Sequence, residues 1–230
     1  MSATPLKLLS SMATREVLAA LAADFERLTG QPVHAEAAGG VDIANRVQAG
    51  EPVDVVVLAA NAIDKLIAAG RLLAGSRVDL VRSGVAIAVR AGAPRPDIAS
   101  ETAVKDAVTA ARSLSYSTGP SGVYLEQLFE RWGLLAAIRP RIVVPPPGVP
   151  VGTLVAQGKA ELGFQQWSEL MNVAGIDVLG PLPPAIQTIT TFSGGVGAQS
   201  THVEAARRLL AHMAAPAAAD LKRRFGMEPA

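Results

Sequence analysis

Small residues, hydroxyls and amides recur where an apolar, strand-like run of this 230-residue chain gives way to helical spacing. Ser10-Ser11-Met12-Ala13 closes the run PLKLLSS, and Ala38-Gly39-Gly40-Val41 closes the next one. LAANA at 58–62, YSTGPSGVY at 116–124, VPPPGVPVGTL at 144–154 and GFQQWSE at 163–169 follow the same recipe. Such junctions can hold an anion through hydroxyls and backbone N–H groups, with helix dipoles adding partial positive charge. Ser10, Ser11, Gly40, Ser121 and Gln166 are therefore expected to line one ligand cleft. Gly39-Gly40 admits two readings. Glycines there can mark a tight turn, or they can strip side chains from a helix start so that a ligand reaches bare N–H groups. Arg15 falls in the first turn of a helix, where a cation opposes the dipole unless it meets an anion. Arg82, near a chain crossing, poses the same question.

Other chemistries find less to work with. His34, His202 and His212 have no HxH, HExxH or i,i+4 spacing, so no metal site is expected. GPSGV at 119–123 is neither a GxSxG nucleophile elbow nor, without a following GK[ST], a phosphate loop. Trp132 and Trp167 lie in apolar helical contexts that read as core. Asp42 and Arg46, four apart on one helix, read as a solvated ion pair. Glu16, Asp42, Tyr116 and Tyr124 could serve as a base, yet each has an ordinary surface or core role, so no catalytic residue is assigned. The sequence implies no cofactor.

The elements that position these residues follow from composition and spacing. Half of the chain is hydrophobic but only 4% aromatic, so its core must be aliphatic. The net charge is +1 with acids and bases interspersed and no Lys/Arg block, which argues against a nucleic-acid partner. Without cysteine there are no disulfides or thiolate metal sites. VLAALAADF at 17–25 follows Arg15-Glu16 and is broken by Asp24, so it is neither a signal-peptide core nor a membrane span. A periplasmic location is expected if a signal peptide has been removed, and a cytoplasmic one otherwise.

Strands at 5–11, 32–37 and 53–58 alternate with helices. The first helix carries Val17, Leu18, Leu21, Phe25 and Leu28 at helical spacing and stops at Gly30; the others cover 41–49 and 61–70, the last capped by Asn61. That alternation predicts a right-handed parallel sheet covered on both faces. An extended segment at 78–92 leads to a second series: helix 101–111, strand 113–117, helix 121–132, strand 140–144, helix 150–157, strand 161–165, helix 167–172 and strand 176–179. A second extended segment, 184–198, precedes helices at 201–213 and 215–225. The fold class is α/β, with two doubly wound lobes joined by two strand crossings. Lobe 1 is expected at 1–80 plus 197–230 and lobe 2 at 84–190, with hinge strands near 81–83 and 191–196 and a cleft between the lobes.

The blocks QAGEPVDVVVLAANAIDKL (48–66), SGVAIAVRAGAP (83–94), GPSGVYLEQLFERWGL (119–134) and VAQGKAELGFQQWSEL (155–170), with Ser10-Ser11, resemble the periplasmic molybdate-binding proteins of ABC importers. That family is a branch of the type II solute-binding fold, and the likeness runs over nearly the whole chain. It implies an oxyanion held without a counter-cation, in the first lobe by Ser11 and neighbouring N–H groups around Met12 and Gly39-Gly40-Val41. In the second lobe it implies the loop containing Thr118, Ser121 and Gly122, the Val149 region, and Gln166. An importer permease is the implied partner and a monomer the implied state. Two departures bear on the ligand: Gly39-Gly40-Val41 stands where the family usually has a serine cluster, and Gln166 where it commonly has tyrosine. A lost hydroxyl costs about 1–3 kcal/mol of anion binding if nothing replaces it. The expected ligand is therefore a small organic polycarboxylate, larger than a tetrahedral oxyanion, with Arg15 free to grip a carboxylate through two hydrogen bonds. A binding protein is the primary reading. The alternative, from a branch resembling aconitate isomerase, is cofactor-independent isomerisation of an unsaturated tricarboxylate.

Overall fold

The computed structural model describes residues 4–146 and 148–230. They form two units: the chain up to Arg82 together with Thr191–Ala230, and Ser83–Thr190. The first unit opens with β1 (Leu6–Ser11), α1 (Arg15–Thr29), β2 (Val33–Ala38), α2 (Gly40–Gln48), β3 (Val55–Ala59) and α3 (Ala60–Ala68). β4 (Val78–Arg90) carries the chain into the second unit, followed by α4 (Glu101–Ala110), β5 (Leu114–Tyr116), α5 (Pro120–Arg131) and α6 (Leu135–Ile138). α7 (Val151–Ala156), β6 (Leu162–Gln166), α8 (Trp167–Leu170) and β7 (Ile176–Pro181) complete that unit. β8 (Ile189–Val196) returns the chain to the first unit, which closes with α9 (Val203–Ala214), α10 (Ala219–Arg224) and β9 (Glu228–Pro229).

In the first unit the strands run β2-β1-β3-β8-β4, with β9 along β4. β1 is parallel to both β2 and β3, in the register Ser11↔Ala38 and Ser10↔Val57, so these three strands end together. β3, VVVLA, is buried along its whole length, as befits a parallel strand covered on both faces. Leu6, Leu8, Val55 and Val57 pack against Val17, Leu18, Leu21 and Phe25 of α1 and Leu209 and Leu210 of α9. Leu9, Val56 and Leu58 pack on the other face against Ile43 of α2 and Ile63 of α3. Leu28, 59% exposed, falls outside the buried stripe of α1, which ends at Gly30 in the left-handed conformation (φ 71°). α3 is not capped by Asn61. β3 stays paired through Ala59, opposite Phe192, and the helix starts directly after it, leaving Asn61 inside its first turn.

The second unit orders its strands β5-β6-β4-β7; β5 and β6 are parallel, and β6 and β7 run antiparallel to β4. Val85, Ile87, Phe164 and Tyr116 share one face with Leu125 and Phe129 of α5. Ala86 and Ala88 face Leu170 and Trp167 on the other side. Gly163 is bare because α7 leans on it, and a Cβ there would lie 2.5 Å from Val155 Cγ2. Trp132 packs 5.8 Å from the Phe129 ring and donates its Nε1–H to Glu101 at 2.7 Å, so both tryptophans pack against core clusters. The strand expected at 140–144 does not form: a 3-10 turn at Arg139–Arg141 is followed by a lone bridge Leu114↔Ile142. Pro140, Pro145 and Pro146 have no N–H to give to a ladder.

Candidate anion-binding site

The shared end of β1, β2 and β3 leads straight into three helical starts: a 3-10 turn at Met12–Thr14 that continues into α1, then α2 and α3. Ser11, Gly39 and Ala59 cap them, and none uses a side chain to do so. Their first-turn N–H groups are therefore not satisfied by capping side chains. Ser10 and Ser11 are both buried, at 2% and 7% exposure. Strand alternation sends Ser11 to the α2–α3 face with Leu9, and Ser10 to the α1 face with Leu8. Ser11 Oγ lies 3.4 Å from Thr14 Oγ1, and the Thr14 hydroxyl donates to the Ser11 carbonyl at 3.1 Å.

The glycine pair sits against Ser11. A Cβ on Gly40 would lie 3.6 Å from Ser11 Cβ and 3.9 Å from Leu58 Cδ2, ordinary contact distances. A Cβ on Gly39 would meet the Asp42 carboxylate at 2.7 Å, the movable end of a side chain. Gly39 has φ −54°, and neither glycine adopts a positive φ, so the backbone does not require glycine at either position. The conformation thus does not force glycine here, and the pair leaves the start of α2 without side chains. Met12 is half-buried, Val41 is exposed, and Arg15 is exposed with Nη2 3.4 Å from Glu16 Oε1. Arg82 is committed elsewhere: Nε and Nη2 donate to the Pro229 carbonyl at 3.1 and 2.9 Å, fastening β9 to β4. The Asp42–Arg46 pair does not form either. Arg46 donates to Glu51 at 2.6 and 2.8 Å and to Glu36 at 2.5 Å, two carboxylates that its guanidinium bridges.

The second unit presents a related face. The register Tyr116↔Phe164 starts the loop after β5 beside the end of β6, where Gln166 stands. In that loop Ser117 Oγ and the buried Ser121 Oγ are 2.9 Å apart, and Gly119 caps α5 without a side-chain bond. Gly122 cannot be anything larger, since a Cβ would lie 1.6 Å from the Ser117 carbonyl oxygen. Thr118 is exposed. Val149 is half-buried in the turn before α7, its N–H donating to Pro146 at 3.0 Å. α7 packs on the sheet face opposite Gln166, with Val151 N–H bonded to Gln165 Oε1 at 3.0 Å. Gln166 is 3% exposed; its Nε2 donates to Thr190 Oγ1 at 3.0 Å, and its Oε1 has no hydrogen-bond partner among the described residues. Sequence reading does not single out Thr190, because a β-branched hydroxyl residue within TITTF reads as strand propensity.

The remaining chemical candidates are accounted for by their partners. Tyr116 donates to Glu126 at 3.0 Å; burial and that carboxylate push its phenol well above the ordinary range. Tyr124 donates to the Ile186 carbonyl at 2.9 Å. His202 Nδ1 lies 3.2 Å from Asp54 and His212 Nε2 3.3 Å from Asp24, while His34 is exposed. Among the described residues no group of three or more His, Asp or Glu could hold a metal ion.

Each unit thus ends a parallel pair or trio of strands in hydroxyls, an amide and helix starts without side-chain caps. The fold class is that of the type II solute-binding proteins. The chain belongs to the bacterial extracellular solute-binding protein family, whose model matches residues 6–228. It is 41% identical over 234 residues to an aconitate isomerase from Pseudomonas sp., covering 98% of this chain and 88% of that protein. The periplasmic molybdate-binding protein of Azotobacter vinelandii superposes with a TM-score of 0.79 at 22% identity, over 96% of this chain and 98% of that one. The sulfate-binding protein of Mycobacterium tuberculosis superposes at 0.78 and 19% identity, over 98% and 87%. These two structures establish the fold alone. Among the described residues, no helix is long and apolar enough to cross a membrane.

Proposed function

We propose that this chain binds an unsaturated tricarboxylate of the aconitate kind and interconverts its isomers without a cofactor. The observation that carries this reading is the 41% identity to an aconitate isomerase, sustained over nearly the full length of both chains. Space beside Ser11, where Gly40 has no side chain, supports a ligand larger than a tetrahedral oxyanion. In this reading Ser11 and the N–H groups at the start of α2 donate to carboxylate oxygens in the first unit, with Arg15 available to a further carboxylate, and the Ser121 loop and Gln166 are the donors of the second unit.

The chemistry asks for little else. A base takes the proton from the carbon beside the double bond, and the freed electron pair shifts the double bond by one position. The proton then returns at the far carbon, while fixed donors stabilise negative charge spread onto the carboxylates. With both tyrosine hydroxyls donating to protein acceptors, Glu16 and Asp42 are the remaining candidates for the base. A receptor that passes its anion to an importer permease from the periplasm is the second reading, favoured by the family's extracellular character.

Titration calorimetry with cis- and trans-aconitate, citrate, sulfate and molybdate tests the ligand, and proton NMR of an aconitate mixture tests turnover. Micromolar binding of aconitate with cis–trans interconversion is expected. Binding without turnover leaves the receptor; binding of molybdate alone defeats the tricarboxylate reading.

A further inference from the structure

We propose that Ser83 is a ligand-contacting residue, its hydroxyl acting with the Gln166 amide to grip one carboxylate; this rests on the tricarboxylate reading above. Ser83 and Gln166 are each 3% exposed, and Ser83 Oγ and Gln166 Oε1 have no hydrogen-bond partner among the described residues. A buried hydroxyl or amide without a partner is costly, and proteins keep few of them. These two are also neighbours. β4 and β6 are antiparallel with Val85 opposite Gln166, so those side chains share a face, and Ser83, two residues before Val85, shares it too. Such diagonal positions sit roughly 7–8 Å apart, within reach of a long side chain.

The chemistry of the pair selects the ligand. As placed, the Gln166 amide donates to Thr190 Oγ1 at 3.0 Å and leaves its oxygen unpartnered. Turned over, it accepts the Thr190 hydroxyl proton and frees its N–H₂, because a hydroxyl can fill either role. Ser83 O–H and Gln166 N–H then offer two donors toward one point, which is what a carboxylate accepts. The strand that carries Ser83 is held firmly. Gln187 accepts from Val85 N–H at 2.9 Å and donates to the Val85 carbonyl at 3.0 Å, and Gly84 leaves room for that amide. A donor on a fixed strand costs little ordering on binding.

Calorimetric titration of trans-aconitate into wild type, Ser83→Ala, Gln166→Ala and the double variant tests the pair, with melting temperatures recorded without ligand. Each single change is expected to weaken binding about tenfold, the usual effect of one hydrogen bond to a charged group. The double variant should lose less than the product of the two, because both bonds end on one group. Wild-type affinity in Ser83→Ala, whatever its melting temperature, overturns the proposal. Should Ser83→Ala fail to fold, Ser83→Cys keeps the shape with a weak donor; several-fold weaker binding supports the contact and unchanged binding overturns it. A wild type that takes molybdate and no tricarboxylate removes the functional reading itself, before any variant is compared.

Discussion

Gly40 leaves room for a side chain that it does not supply. Its backbone suits any residue, and a Cβ would touch Ser11 and Leu58 at ordinary distances. Gly40→Ser should therefore fold as the parent does, with a melting temperature within about 2 °C, a surface-like change of under roughly 0.5 kcal/mol. The added hydroxyl fills space beside Ser11, so tricarboxylate binding should fall about tenfold or more while binding of a tetrahedral oxyanion improves. Paired titrations with aconitate and molybdate would read this out, and unchanged selectivity would count against a ligand at that glycine. Ser11 and the glycine pair stand out in the sequence because each closes an apolar strand run and opens helical spacing, where small and hydroxyl residues mark a helix start. Arg82 and Arg46 are less so. A guanidinium reaches acceptors outside its own element, Pro229 near the far end of the chain for Arg82 and Glu36 with Glu51 on the flanking segments for Arg46, and i,i+4 spacing does not encode that choice. Ser83 is hidden for a different reason, since a lone serine within a long strand run carries no signal until the pairing register is known.

At the level of elements, alternation of apolar runs with helical spacing locates the parallel strands, because a strand buried on both faces and an amphipathic helix look unlike in sequence. It misplaces a strand at 140–144, where β-branched Ile142, Val143 and Val144 suggest one and the flanking prolines prevent it. The junction between β5 and α5 is fixed more tightly than composition suggests. Gly122 lets the first turn of α5 close onto the Ser117 carbonyl, whose oxygen would be 1.6 Å from any Cβ. Gly122→Ala must push the helix start away, breaking the Ser117–Ser121 contact. A loss of roughly 2 kcal/mol, seen as a drop of about 4–8 °C in melting temperature, is expected together with weakened ligand binding. Gly30→Ala, at an open left-handed cap, should cost only about 1 kcal/mol and leave binding alone.

Across the whole chain, long-range polar ties close what the hydrophobic clusters begin. Asp54, just before β3, accepts from Lys7 N–H at 2.8 Å and Ser200 Oγ at 2.5 Å, with His202 Nδ1 at 3.2 Å, joining segments nearly 150 residues apart. Burial would raise its pKa, but the bonds from Ser200, the Lys7 N–H and His202 together hold it below the ordinary carboxylate value. A carboxyl depressed in the folded state stabilises above its unfolded pKa of about 4, and that contribution is lost as pH falls through the folded value. Asp54→Asn should cost roughly 1–3 kcal/mol at pH 7 and flatten the loss of stability as pH falls below the unfolded value of about 4, as measured by urea melts across the acid range.

The division into two units has an optical consequence. Both tryptophans and both tyrosines of the chain, Trp132, Trp167, Tyr116 and Tyr124, lie within Ser83–Thr190. Intrinsic emission is therefore a reporter placed wholly in one unit, while the segments up to Arg82 and from Thr191 onward carry no such fluorophore. Far-ultraviolet dichroism draws on the backbone of both. Unfolding curves from the two signals coincide where the units melt together and separate where they do not. A serine or glycine exchanged in the first unit leaves every one of these fluorophores in place.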